Sequence, residues 1–187
     1  MNAITSYCHS SIGRKQIVAI TGLALILFLI GHLAGNLILF LGPEAYNAYA
    51  KKLAGLRPGL YAVEFALLWV FVIHIWVTAL LVLENIRARQ GLSRYAQSRA
   101  VGERSWATRL MPYTGTYLLA FVIWHLVDFT FADHHGPRSF VLVTDSTGSL
   151  TNIYSKSLGL YGVVWNSFAD PIHSVLYIIA MMALGLH

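Results

Sequence analysis

The sequence predicts an all-α fold, an integral membrane helical bundle, on three observations. The 187 residues are 57% hydrophobic and only 11% charged, with a mean hydropathy of +0.61, too apolar for a soluble domain of this size. The apolar stretches run well past about 18 residues, which fits spanning helices rather than the short alternating strands of a barrel. The basic residues gather beside those stretches. Residues 84–109 hold six arginines, Arg87, Arg89, Arg94, Arg99, Arg104 and Arg109, against two glutamates. A net charge of +5 spread over membrane-flanking loops, with no basic domain, argues for orientation in a bilayer and against nucleic acid as a partner.

Four spans are expected within one domain over 1–187, at about 17–41, 60–83, 110–132 and 171–187. The polar amino end closes with Arg14 and Lys15 at the membrane edge. The first apolar stretch is too long for a signal peptide and lacks a small-residue cleavage site, so an uncleaved anchor is expected. Ile17 to Leu41 is 25 residues without a charge, enough to cross a roughly 30 Å hydrocarbon core. Gly42-Pro43 ends it, and 42–59 reads as a short, partly helical outer loop. The second span carries His74 and leads into the arginine-rich connection, which places that loop and the N-terminus in the cytoplasm. The third begins near Leu110, with Pro112 tolerable in its first turn. Asp133–Ala169 reads as an outer segment whose stretch 154–168 has the character of an amphipathic interfacial helix. Asp170-Pro171 reads as an N-cap followed by proline at the first helical position. Seventeen residues from Pro171 to His187, with no terminating signal, predict that the last helix continues beyond His187.

The chemistry lies in the histidines. His32, His74, His125 and His187 fall inside apolar segments, where an unpartnered imidazole is costly and marks a ligand, an ion or a proton path. For any one of them, a hydrogen bond to a neighbouring helix is the plainer alternative. Depth groups them. At 1.5 Å per residue His32 and His125 share a level near the outside, and His74 and His187 a level near the inside, roughly 15 Å apart. Two bis-imidazole haems fit that spacing, whereas zinc is disfavoured because each level offers two ligands and no Cys or carboxylate joins them. The single Cys8 and the absence of C-x-x-C-H exclude covalent haem attachment. Thr21-Gly22 precedes His32 by nine intervening residues, and Thr114-Gly115 precedes His125 by the same nine. Gly22 and Gly115 thus lie at the level of the other pair, where a missing side chain admits a porphyrin or, alternatively, a close helix.

His9, His134, His135 and His173 fall in loops or at interfaces and stay outside the ligand set. Asp128, one turn after His125, Glu64 near the outer end of the second span, and Asn36, one turn after His32, are the candidates for holding a quinone or carrying its protons. For Asp128 and Glu64 the alternative is an interfacial carboxylate facing water. Trp69, Trp76 and Trp124 read as packing and interface residues.

The stretches GRKQIVAITGLALILFLIGHLAGN, GPEAYNAYAKKL, YAVEFALLWVFVIHIWVTALLVLENIRAR, PYTGTYLLAFVIWHLVDF and the terminal LGLH cover most of the chain. In them it resembles the dihaem cytochrome b membrane-anchor subunit of bacterial succinate dehydrogenases and fumarate reductases, the succinate:quinone oxidoreductases known as complex II. The resemblance implies two haem b groups, the outer on His32 and His125 and the inner on His74 and His187. It also implies a flavoprotein subunit and an iron–sulfur subunit on the cytoplasmic face, and electron exchange with menaquinone or ubiquinone. A bacterial cytoplasmic membrane, its lipid, and a fifth helix beyond those visible are implied with it. Two other readings stand beside this one: the cytochrome b subunit of a formate dehydrogenase or hydrogenase, and a transporter whose histidines relay protons, against which no broken or inverted repeats are evident.

The arginine excess yields a test of topology. Membrane-impermeant thiol labelling from outside is expected to reach a cysteine placed in Asp133–Ala169 and to miss Ser98→Cys. Labelling of Ser98→Cys in right-side-out vesicles overturns the orientation.

Overall fold

The structure, a computed structural model, describes residues 2–88, 106–143 and 154–187. Arg89, Arg94, Arg99, Arg104 and Ser98 lie outside the described residues, as does 144–153 of the expected outer segment. The described chain is mostly helical and divides into two compact units, one of residues 1–37 with 52–101, the other of 38–51 with 102–187.

In the first unit a short helix α1 (Ala3–His9) precedes α2 (Ser11–Leu37), which pairs with α4 (Gly59–Arg87). Arg14 on α2 forms an ion pair with Glu84 on α4, and Thr21 meets His74. Contacts that advance on α2 while receding on α4 make the two helices antiparallel. The amino end, expected to be an irregular polar lead-in, is helical with His9 as its last residue, and Ser10 joins it to α2 by donating its hydroxyl to the Tyr7 carbonyl at 2.7 Å.

In the second unit the 3₁₀ turn Ile38–Leu41 leads to α3 (Pro43–Ala54), so that the expected loop over 42–59 is largely a helix. Helix α5 (Trp106–His125) continues into a π-helical turn over Leu126–Thr130, in which the Phe131 N–H reaches back five residues to the Leu126 carbonyl at 3.0 Å. Two strands follow, β1 (Phe140–Val143) and β2 (Tyr154–Ser157), paired antiparallel with Phe140 opposite Ser157. Helix α6 (Gly159–Ala169) and helix α7 (Pro171–Leu186) complete the unit, bent 91° from one another.

This hairpin is absent from the sequence-based expectation, which made 154–168 one amphipathic helix. The physical reason lies at Gly159, whose φ of +59° stops a helix from continuing back into Tyr154–Ser157. The released strand pairs instead with the β-branched and apolar run of β1. Asn47 of α3 pins the junction: its side-chain amide donates to the Leu158 carbonyl at 2.7 Å and its oxygen accepts the Tyr161 N–H at 3.2 Å. Helix α6 lies closely on the hairpin, where Asn166 donates to the carbonyls of Arg138 and Phe140, both at 2.8 Å. At the bend the sequence reads as expected. Asp170 caps α7 by accepting the Ile172 N–H at 2.9 Å, and Pro171 occupies the first turn.

Among the described residues, three helical segments are long and apolar enough to cross a membrane, Ser11–Leu41, Gly59–Arg87 and Arg109–Thr130, and the bent pair α6 with α7 brings the number up to four. Their outer faces carry Ile20, Leu27, Val63 and Phe65, each more than 60% exposed. An exterior this apolar suits lipid and fits a multi-pass membrane protein.

Gly162 is the tightest point in the second unit. A Cβ there collides with the Ser139 carbonyl, whereas a Cβ on Gly31 meets nothing within 4 Å. Gly162→Ala is expected to destabilise the protein by about 1–3 kcal/mol, the usual cost of overpacking. Gly31→Ala should leave stability unchanged or raise it slightly. Thermal melts of the detergent-solubilised variants compare the two, and an unshifted Gly162→Ala contradicts the packing.

Candidate histidine and carboxylate sites

The Thr-Gly pairs and the histidines come together within each unit. Threonine in a helix commonly turns its hydroxyl onto a carbonyl one turn back. Thr21 Oγ1 lies 2.7 Å from the Ile17 carbonyl and 3.1 Å from that of Val18, and 3.0 Å from Nδ1 of His74. With the Ile17 carbonyl the nearest acceptor, we assign the hydroxyl proton to the backbone, so that the oxygen accepts from His74 Nδ1–H. The tautomer that follows has its lone pair on Nε2, the form in which histidine ligates a metal. In the second unit Thr114 repeats the arrangement, with the carbonyls of Leu110 and Met111 at 3.1 and 3.2 Å and His187 Nδ1 at 3.0 Å.

The adjacent glycines make room for these rings. A Cβ on Gly22 would lie 3.3 Å from His74 Cε1, and one on Gly115 would lie 3.0 Å from His187 Cε1. What stands against each glycine is therefore the imidazole of the next long helix. His32 and His125 lie ten residues further along α2 and α5, about 15 Å from that level. Each unit thus carries one histidine at each of two depths.

The remaining two rings are held differently. Asn36 donates to the His32 carbonyl at 2.8 Å and stands 3.3 Å from its Nε2, and the Phe28 ring stacks on the imidazole at 5.5 Å. Here the orienting group sits on the same helix. His125 has Phe121 stacked at 5.9 Å, and its Nδ1 is 3.3 Å from the Tyr177 hydroxyl of α7.

Asp128, a candidate from sequence, is 8% exposed and sits in the π turn. Three donors converge on it. Arg138 Nη2 reaches Oδ1 at 2.7 Å, His173 Nε2 reaches Oδ2 at 2.6 Å, and the Tyr177 hydroxyl reaches Oδ2 at 3.3 Å. Arg138 also donates to Ser167 Oγ at 2.5 Å and, through Nη1, to the Asp128 carbonyl at 3.3 Å. Asp128 is thus a buried, paired carboxylate rather than one facing water. The other two candidates lie in the first unit with local partners: Glu64 is 3.5 Å from Arg57 and half exposed, and Asn36 bonds to its own helix.

The sequence sets His173 aside as one of the histidines in loops or at interfaces and does not single out Arg138. His173 belongs to the first turn of α7, and its ring stacks on Tyr177 four residues later at 4.6 Å. The H-x-x-x-Y spacing after Asp170-Pro171 was the available signal. Arg138 gave none, being one basic residue in a polar segment. Arg14, expected at the membrane edge, is engaged with Glu84.

These elements define an apolar helical protein in which long antiparallel helix pairs present orientated imidazoles at two depths, with a buried carboxylate cluster beside one of them. Among the described residues no three His, Cys, Asp or Glu side chains are gathered for a metal ion. A cleft of about 280 Å³ beside α3, lined by Glu44, Asn47, His135 and Lys156, involves none of the candidate residues. Comparisons of the chain with protein-family models, with curated proteins and with solved structures give no match.

Thr21→Val keeps the volume of the side chain and deletes the acceptor. It strands the His74 Nδ1–H in a span without water, at a cost of about 1–3 kcal/mol. Thr116→Val is the control, because Thr116 Oγ1 donates to the Pro112 carbonyl of its own helix, at 2.9 Å. A lower melting temperature for Thr21→Val alone is expected; equal shifts contradict the bond.

Proposed function

We propose that the chain is the haem b-bearing membrane anchor of a succinate dehydrogenase or fumarate reductase, passing electrons between an iron–sulfur subunit and a membrane quinone. The observation that supports this reading is the repeated bond between threonine and histidine, Thr21 with His74 and Thr114 with His187, which holds each imidazole by Nδ1. On the depths read from the sequence we assign His74 and His187 as the inner axial pair and His32 and His125 as the outer. Two haem b groups, when bound, supply one-electron transfer along the membrane normal.

The residues of the chain do the rest. Thr21 and Thr114 hold two tautomers, and Gly22 and Gly115 admit the rings. Tyr177 orients His125. Asn36 bonds to the His32 carbonyl and stands by its Nε2, which it would yield to a haem iron. Asp128, with its partners, is the polar group available to a quinone on the outer side, with Glu64 and Asn36 as further outer candidates. Nothing in the chain performs succinate chemistry, which falls to a flavoprotein partner. The N-terminus and the 84–109 connection face the cytoplasm of a bacterial inner membrane, where both partner subunits dock.

The test is isolation of the complex from its native membrane. Expected are reduced-minus-oxidised α-bands equivalent to two haems per chain, and copurified subunits carrying flavin and iron–sulfur clusters. His74→Ala and His187→Ala should each remove one and the same haem, and His32→Ala and His125→Ala the other. Loss of different haems within a pair overturns the pairing, and an absence of α-bands overturns the function.

A further inference from the structure

The cleft of about 280 Å³ where the start of α6 meets α3 gathers opposite charges without pairing them. Glu44, Asn47, His135 and Lys156 line it, with the chain from Ser157 to Gly159 completing the wall, and all of these residues belong to the second unit. Its floor is fixed by bonds already made. Asn47 holds the Leu158 carbonyl and the Tyr161 N–H, and a Cβ on Gly159 would stand 3.3 Å from Asn47 Oδ1, so α6 begins close against α3. The Ser157 hydroxyl is bonded to that of Ser139 at 2.8 Å. The charged groups are not used in this way. Among the described residues, no hydrogen bond or ion pair engages the side chains of Glu44, His135 or Lys156. Lys156 and Glu44 therefore face one cleft as separate charges.

We infer that this cleft binds the headgroup of a phospholipid that carries a primary amine, with Lys156 and His135 on the phosphate and Glu44 on the ammonium. The charges decide the chemical class. An ammonium only donates and a carboxylate only accepts, so a ligand that satisfies both carries an anion and a cationic donor on one small group. A phosphate alone leaves Glu44 facing a like charge. A quaternary ammonium has no N–H for Glu44 and is ordinarily held by aromatic faces, and no Phe, Tyr or Trp is among the residues lining the cleft. The volume lies at the small end of the roughly 300–1,000 Å³ of ligand pockets, which suits a headgroup rather than a whole lipid. Position decides the source. The span Ser11–Leu41 ends two residues before Pro43, and Phe40 and Leu41 are 83% and 76% exposed immediately before the cleft. A residue just past the end of a span lies in the headgroup layer, roughly 5–8 Å deep on each face of the hydrocarbon core. A headgroup seated between Glu44 and Lys156 leaves its acyl chains at the depth of those two apolar side chains.

The experiment takes the protein as isolated from its native membrane, in detergent, and titrates it with phosphatidylethanolamine, phosphatidylcholine or phosphatidylglycerol of identical acyl chains. Native mass spectrometry counts the lipid bound, and haem content does not enter the readout. The wild type should bind phosphatidylethanolamine more tightly than either of the others by about two- to fivefold, the usual worth of one exposed charge pair. Glu44→Gln removes the partner of the amine and should erase that preference. Lys156→Gln removes the partner of the phosphate and should weaken all three lipids by a similar factor. Lys51→Gln, an exposed change on α3 outside the lining, is the control and should alter nothing. Glu44 and Lys156 are both exposed, so neither substitution endangers the fold, and the comparison of lipids on the wild type needs no variant. Equal affinity of the wild type for the three lipids overturns the inference, as does a preference that survives Glu44→Gln. A loss in Lys51→Gln equal to that in Lys156→Gln shows a general attraction to lipid and overturns the site. Displacement of the lipid by millimolar inorganic phosphate shows a site for a soluble anion and overturns the lipid assignment.

Discussion

An imidazole inside a pair of apolar helices has to place its N–H on an acceptor, because a buried donor left unpaired is costly. The chain solves this twice with a threonine whose own proton is already committed to a backbone carbonyl one turn back. Much else follows from that bond. It requires a glycine beside the threonine, because a methyl there would press on the ring. It also fixes the register of α4 against α2, and of α7 against α5, so the helix pairing and the chemistry of the histidine are set by one contact. Apolar packing alone specifies register weakly between helices in lipid, where neighbouring chains and acyl tails are equally apolar.

The cluster around Asp128 solves a different problem. A carboxylate near the end of a span is tolerable only with its charge balanced and its lone pairs used. Arg138, His173 and Tyr177 meet both needs, and they come from a turn after α5 and from the first two turns of α7. The π turn is part of the solution, because its wider ring also directs the Phe129 carbonyl to His134 and the Asp128 carbonyl to Arg138.

The long helices were legible because spanning a membrane demands some 20 uninterrupted apolar residues, a pattern that survives any tertiary arrangement. Gly22 was legible as a partner in depth to His74, since rise per residue is fixed, but the ring it admits was not, since depth says nothing about azimuth. Asp170-Pro171 read correctly because capping is local. The hairpin, the π turn and α1 did not read. Four-residue strands carry little periodicity, a single widened turn leaves no sequence mark, and seven polar and mixed residues make a weak helix signal. Arg138 and His173 belong to contacts that span 10 and 45 residues of sequence, which only folding brings together.

The right-angle corner between α6 and α7 has a consequence for the carboxylate cluster. Two bonds brace it, Asp170 capping Ile172 and Ser174 donating its hydroxyl to the Phe168 carbonyl at 2.7 Å, while Pro171 fixes a backbone torsion between them. Ser167 and His173 flank this corner and lie on either side of the Arg138 and Asp128 pair. A corner braced in this way holds Ser167 and His173 aimed at the Arg138 and Asp128 pair, so the polar surroundings of the carboxylate are set by the backbone before any ligand arrives.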